Sequence, residues 1–329
     1  MMATALPSSK RKTGSGPLDS VQTNGDRRVR RAVVLTALRT EFEAVKAYLD
    51  NVRETVHPKG TIYETGDFNF NSYSPWTVSV VETGAGNSSA AAEAERSIAT
   101  FRPDVIMFVG VAGGIKDVSI GDVVIADKVY GYESGKAEAA YKTRPLVFNS
   151  NYALEQRARA VARSDEWLSR LEQPLVERPK AFVAPIAAGE KVVASTRSPV
   201  FQFLRKNYND AIAVEMEGIG FLEASHINPE VHAIVIRGIS DLINKKEVTD
   251  AQGSQKLAAR NVSAFAFENL ATYIPAQMTD WVNRVNDAAK EIIELGRFEF
   301  VGDDDIEKIF GSAHISSTMV PNPLGPVFS

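Results

Sequence analysis

The sequence predicts an α/β fold of three layers, in which a central, mostly parallel mixed sheet is flanked by helices. Three observations predict it. Apolar runs of strand length recur along the chain, as in Ala32–Leu38 and Val105–Val109. Segments with apolar residues at three- and four-residue spacing alternate with those runs. Several runs end in glycine-rich or acidic stretches, the turn positions of a strand–helix alternation. Strands buried on both faces and separated by helices build parallel sheets.

Taken in order, Ala32–Leu38 reads as a strand, and Phe42, Val45, Tyr48 and Leu49 mark the helix after it. Thr77–Val81 is a second strand that runs into Thr83-Gly84-Ala85-Gly86. Asn87 is the expected N-cap of an Ala-rich helix over Ser88–Ala99. Val105–Val109 ends in Gly110-Val111-Ala112-Gly113-Gly114, expected as a tight loop whose backbone N–H groups can approach a ligand. Gly121–Ala126, Pro185–Ala188, Ala211–Val214 and Val231–Ile236 supply further strands. Gly218–Ser225 and Ala264–Leu270 read as helices. These elements place one domain at residues 31–274. Residues 1–30, rich in Ser, Gly, Pro and Thr with clusters such as Lys10-Arg11-Lys12, read as a disordered basic tail. In 275–329, the stripe Met278, Trp281, Val282, Val285, Ala289 and Ile292 predicts an amphipathic helix followed by a tail.

The chain of 329 residues is 44% hydrophobic and 24% charged with a net charge of -4, the balance of an ordinary globular protein. That balance gives no argument for nucleic acid or membrane as a partner. The absence of cysteine excludes disulfides and Cys-containing zinc sites, and suits a reducing cytoplasm. The 4 histidines have no metal-ligand spacing. No apolar run is long enough to span a membrane, and Met1 to Gly25 has no signal-peptide core.

Two acidic runs carry the chemistry: Val214-Glu215-Met216-Glu217-Gly218, and Arg237-Gly238-Ile239-Ser240-Asp241 one βα unit later. Both end apolar strand-like segments, and ligands in such sheets sit at the carboxyl ends of strands. Carboxyl groups there suit a reaction that needs a proton donor beside a developing positive charge. Cleavage of a purine N-glycosidic bond has that character, because the sugar becomes oxocarbenium-like while the base must gain a proton.

Glu41, the Thr83–Gly86 turn, Val109–Gly114, Gly121-Asp122-Val123-Val124 and both acidic runs occur in an order that resembles the nucleoside phosphorylase superfamily. The closest resemblance is to its hydrolytic branch, the methylthioadenosine/S-adenosylhomocysteine nucleosidases, over about residues 31–274. The resemblance implies a phosphorylase-type fold and a homo-oligomer. It implies Asp241 as the general acid that protonates purine N7, an acid that needs burial or a neighbouring carboxylate to hold its proton. It implies Glu217 and Met216 at the ribose, and Glu41 with Arg237 directing the attacking water. Glu215 shares a strand face with Glu217 and either reaches the cleft or pairs with Arg237. Val111, Ala112, Gly113 and Ser240 are expected at the ligand, and the base is expected around Val192 and Val193. Hydrolytic relatives often have Phe where this chain has Val192.

The segment Thr36–Glu41 lacks the Gly-Asp-x-x-Arg turn that binds phosphate in phosphorylases, so water is the expected nucleophile, with Arg39 as the residue that keeps purine nucleoside phosphorylase as an alternative. Lys245 and Lys246 beside the cleft, and Lys136 in Tyr132-Glu133-Ser134-Gly135-Lys136, could neutralise 5′-phosphates. That stretch and the tails resemble superfamily members associated with bacterial antiviral defence, some of which release adenine from ATP or dATP. The resulting expectation is an adenine-nucleotide nucleosidase, with a thio-nucleoside nucleosidase and a non-catalytic nucleoside sensor as alternatives. No cofactor is expected, and Mg only as the companion of a nucleotide substrate.

Overall fold

The computed structural model describes residues 29–70, 75–139, 141–171, 177–243 and 251–274. In chain order the elements are β1 (Arg30–Thr36), α1 (Arg39–Lys46), β2 (Asp50–Val56), β3 (Ile62–Phe68), β4 (Trp76–Glu82) and α2 (Asn87–Phe101). There follow β5 (Val105–Gly114), β6 (Val123–Gly131), β7 (Gly135–Lys136), β8 (Lys142–Thr143), β9 (Leu146–Asn149) and α3 (Tyr152–Ser164). The chain continues through a 3-10 turn to β10 (Ala181–Ala188), α4 (Pro199–Asn207), β11 (Ala213–Glu215), α5 (Gly218–His226), β12 (His232–Leu242) and α6 (Ala251–Thr272). The fold class is the one the sequence predicts.

One sheet organises the domain, in the order β11-β10-β6-β12-β5-β1-β4-β3-β2 with β9 on β6. Its heart is parallel: β12–β5, β5–β1 and β1–β4 on one side, β6–β10 and β10–β11 on the other. Antiparallel joints lie at β12–β6 and at the hairpin β2–β3–β4. The last residues of β5 also pair with β11, so β5, β12, β6, β10 and β11 close on themselves. That closure draws the carboxyl ends of β5, β10, β11 and β12 together.

Both faces of the sheet are covered, as near-continuous apolar strands require. Val34, Val105, Met107, Ile234 and Ile236 pack with Val45 of α1, Leu154, Ala158 and Val161 of α3, and Val262, Phe265 and Leu270 of α6. On the other face Val33, Leu35, Ile106, Phe108 and Val235 meet Ala90, Ala94 and Ile98 of α2 and Phe221 and Leu222 of α5. A smaller third cluster joins Tyr132, Val193, Leu204, Val214 and Ile243 beside the carboxyl ends.

Three expectations change. Gly110–Gly114 is not a loop but the end of β5, extended because β12 and β11 offer ladder partners on its two sides. Asn87 is not the cap of α2: Gly86 takes that position, and the Asn87 side chain bonds elsewhere. The last helix begins at Ala251, well before Ala264. The expected amphipathic helix in 275–329, and Lys245 and Lys246, lie outside the described residues.

Candidate active site

Glu41 stands in the first turn of α1, yet it is 2% exposed, far from the solvated position that dipole preference alone would give it. One carboxylate oxygen accepts from the backbone N–H groups of Ala37 and Leu38, at 2.8 and 2.9 Å. The other accepts from the N–H of Val111 on β5, at 2.8 Å. The side chain thus closes its own helix terminus and straps it to a second strand. Burial pushes the Glu41 carboxyl up from the usual range, while the Arg237 charge and the three N–H bonds pull it down.

Arg237, midway along β12, is fully buried. Its Nη2 donates to Glu215 and, at 3.2 Å, to Glu217 Oε2, and its guanidinium lies 4.5 Å from the centroid of the Phe108 ring. The carboxylates of Glu215, Glu217 and Glu41 favour the Arg237 charge against its burial. Gly110, beside Arg237 in the ladder, makes the room: a Cβ there would strike Arg237 Nη1 and stand 2.9 Å from Glu41 Oε1.

Glu215 and Glu217 divide their tasks. Glu215, at the end of β11, also accepts from the N–H groups of Glu217 and Gly218 at 2.8–3.0 Å. Glu215 thus makes the pairing with Arg237 that the sequence allowed for. Burial pushes its carboxyl up, with the Arg237 charge opposing and the Glu217 charge adding. Glu217 accepts from Gly86 N–H at 3.0 Å, which brings the Thr83–Gly86 turn against the acidic run.

Asp241 lies inside β12, not at a helix cap. A register shift after Ile239 lets it pair with Gly113. Its Oδ1 lies 3.0 Å from where a Gly113 Cβ would stand, with Val214 and Ile243 side chains at 3.7 Å from the same point. A side chain at 113 would displace the carboxyl. The Glu41 carboxylate at Val111 and the Asp241 carboxyl at Gly113 are thus two residues apart on β5, roughly 7 Å of strand.

The remaining expected residues sort by exposure. Val111, Gly113 and Met216 are half-buried, whereas Ala112 and Ser240 are buried, Ser240 with its hydroxyl directed to Ala112 O at 3.4 Å. Val193 is buried, but Val192 is 70% exposed and turns its side chain to solvent. Arg39 is solvated, its side chain 85% exposed and 3.8 Å from Glu43. Lys136 is engaged by Glu138 at 2.5 Å, a carboxylate shared with Lys142 at 2.7 Å.

Asn87 is the residue that sequence reasoning missed. Its Nδ2 donates to Gly189 O at 3.1 Å and Glu190 Oε1 at 2.9 Å, and its Oδ1 accepts from Gly220 N–H at 3.1 Å. One amide ties α2, the stretch after β10 and α5 together. The signal was an Asn directly after Gly84-Ala85-Gly86, which cap preference also explains.

The model of one protein family, described as the phosphorylase superfamily, matches residues 31–271. A 5′-methylthioadenosine/S-adenosylhomocysteine nucleosidase of Desulfotalea psychrophila is 26% identical over 248 residues, 71% of this chain and 94% of that protein. A crystal structure of the nucleosidase of that name from Colwellia psychrerythraea, in complex with adenine, is 23% identical with a TM-score of 0.61, covering 74% of this chain and 95% of the other. A futalosine hydrolase mutant of Helicobacter pylori is 19% identical with a TM-score of 0.62, covering 74% of this chain and 100% of the other.

Proposed function

Because this chain belongs to the phosphorylase superfamily, we propose that it hydrolyses the N-glycosidic bond of an adenine nucleoside or nucleotide and releases adenine. One observation carries the reading: carboxyl groups of Glu41 and Asp241 are held over neighbouring positions of β5, with the Arg237–Glu215–Glu217 cluster alongside. In this proposal Asp241 gives a proton to purine N7, so the base leaves neutral. Glu217 holds the ribose hydroxyls, and its charge offsets the oxocarbenium character of the sugar. Met216 lines the sugar. Glu41, buried and strapped in place, takes a proton from the attacking water. Arg237 fixes the carboxylates.

Water is favoured over phosphate as nucleophile, since Glu41 would repel an anion and the one cation of its turn, Arg39, faces solvent. The non-catalytic sensor reading is weakened by the same geometry, because a binding module has no need of a buried base. Val192 leaves the base without a stacking ring from that position, so backbone groups around 188–193 would read it.

For the 5′ substituent, our finer proposal is a phosphorylated adenine nucleotide, ATP or dATP, as in a defence effector that depletes the nucleotide pool. It rests on the Lys245-Lys246 pair after the Asp241 strand. The alternative, a thio-nucleoside, is favoured by the names of the relatives and by the Lys136–Glu138 pairing, which removes one candidate phosphate ligand. A chromatographic assay with ATP, AMP, methylthioadenosine and adenosylhomocysteine separates them. Adenine released only from the two thio-nucleosides rejects the nucleotide. Further parts of the proposal are a cytoplasmic homo-oligomer, which a monomer in sedimentation would refute, and Mg only as the companion of a nucleotide.

A further inference from the structure

Tyr132 follows β6 directly, is 2% exposed, and donates its backbone N–H to Ala188 O, the last residue of β10, at 3.3 Å. Its ring fills the space that a Cβ on Gly189 would need, so Gly189 is the residue type that lets the phenol lie there. Val193, Val214 and Ile243 share its apolar cluster. Val214 and Ile243 are also the side chains that flank Asp241 over Gly113. Tyr132 therefore lies against Gly189 and shares an apolar cluster with two side chains that stand beside the Asp241 carboxyl.

The hydroxyl of this phenol has no hydrogen-bond partner among the described residues. A buried hydroxyl normally finds one, and leaving it unpaired is unfavourable. Two less buried tyrosines nearby are paired, Tyr130 with Asp210 at 2.8 Å and Tyr141 with Glu133 O at 2.6 Å. Burial, with the charges of Glu133, Glu215 and Glu190 adding, pushes the Tyr132 hydroxyl up to about 12. It keeps its proton at neutral pH and is a donor without an acceptor. Adenine offers ring nitrogens as acceptors.

We propose that Tyr132 is a specificity residue of this site, whose hydroxyl donates a hydrogen bond to a ring nitrogen of bound adenine. The inference rests on the adenine-releasing reading above and deepens it. A buried hydroxyl that bonds nothing in the free chain does not stabilise the fold, so its removal costs no stability and weakens only ligand binding. Tyr208 supplies the internal control. It too is buried with an unpartnered hydroxyl in the same cluster, but its ring neighbours are Tyr130 and Phe203, and Gly189 lies against Tyr132 instead.

The test is calorimetric titration of adenine into the parent full-length chain, Tyr132→Phe and Tyr208→Phe, with a melting curve for each. Tyr132→Phe is expected to bind adenine about tenfold more weakly, the usual size of one lost hydrogen bond, with an unchanged or raised melting temperature. Tyr208→Phe should match the parent in binding. In turnover, Tyr132→Phe should raise KM and leave kcat near the parental value. The inference is overturned if Tyr132→Phe binds adenine within twofold of the parent, or if both phenylalanine variants weaken binding equally. A parent chain that neither binds nor releases adenine overturns the proposed function and this inference together. A parent that does both, beside an unaltered Tyr132→Phe, overturns the inference alone.

Discussion

Glu41→Gln separates the structural role of this side chain from the general-base role proposed for it. The carboxylate accepts three backbone N–H bonds, two on one oxygen and one on the other. Glutamine keeps one acceptor oxygen, which can serve Ala37 and Leu38; its amide then faces the N–H of Val111, donor against donor. One buried backbone bond is lost, a cost of about 1–3 kcal/mol. In a domain of this size that lowers the melting temperature by roughly 4–8 °C for about 2 kcal/mol. Glu41→Ala removes all three acceptors and one counter-charge of Arg237, and should lose about 3–5 kcal/mol. A general base, in contrast, contributes about 10²–10⁴-fold to rate, and glutamine cannot accept the proton. The expected result for Glu41→Gln is therefore a modest fall in melting temperature beside a fall of at least about a hundredfold in adenine release, measured by liquid chromatography below the melting transition. Turnover within tenfold of the parent, with the melting temperature lowered as calculated, would refute the base assignment and leave Glu41 as a structural strap.

Asp241→Asn should lower kcat by about 10²–10⁴-fold while leaving adenine affinity nearly intact, since it removes a proton donor without changing shape; parental rates in a steady-state assay would contradict the acid role. Gly113→Ala should displace the Asp241 carboxyl, whose Oδ1 stands 3.0 Å from the added carbon, and lower turnover at least about tenfold through misplacement, with full activity as the result that speaks against it. Stability should depend on pH through Glu41 and Glu215, both raised above the ordinary glutamate value of 4.5 by burial. Above that value the folded chain holds protons that the unfolded chain has released, so stability falls as pH rises through the window up to the raised values. The urea midpoint is expected to decline as pH rises above the ordinary glutamate value, and Glu215→Gln should flatten the decline; a midpoint that climbs there would reject the buried-proton account.

How far the sequence disclosed this arrangement depends on what each residue had to pair with. Val105–Val109 and the Ala32–Leu35 part of Ala32–Leu38 were legible because a strand buried on both faces must be apolar throughout; Leu38 is instead the exposed residue that precedes α1. The hairpin of β2 and β3 was not, since β2 is an edge strand whose residues are almost all exposed and show no buried alternation. Gly110–Gly114 reads locally as a turn, and its extension depends on β11, which is distant in sequence. α3 was not among the helices read from the sequence, although the Asn151 cap, whose side chain accepts from Ala153 and Leu154, and the face of Leu154, Ala158 and Val161 mark it. α6 carried little, because residues 261–270 are buried all round and leave no polar face to set a period. At the site the residue types were readable and their assignments only partly so. Nothing in Val214–Gly218 says that Glu215 turns inward to Arg237 and two N–H groups while Glu217 meets Gly86. That division follows from the chain reversing at Gly218 into α5.

The buried cluster itself argues for a reaction that develops positive charge. One guanidinium faces three carboxylates, Glu41, Glu215 and Glu217, all at 5% exposure or less. Charges at that depth are costly unless matched, and well-packed apolar residues would generally make a more stable core. Matching within the protein is incomplete: Arg237 counters at most one of the three negative charges, and burial raises Glu41 and Glu215 towards holding protons. The resting protein can relieve the imbalance by protonation, but a reaction that develops positive charge beside Glu217 relieves it as well, and only at the moment the charge appears. Stabilisation that arises in the transition state and not in the ground state is what accelerates a chemical step. A sugar that stays neutral beside Glu217 gains nothing from such a surplus. A ribosyl centre passing through an oxocarbenium-like state gains most, which is the physical reason for preferring glycosidic cleavage over simple retention of a nucleoside.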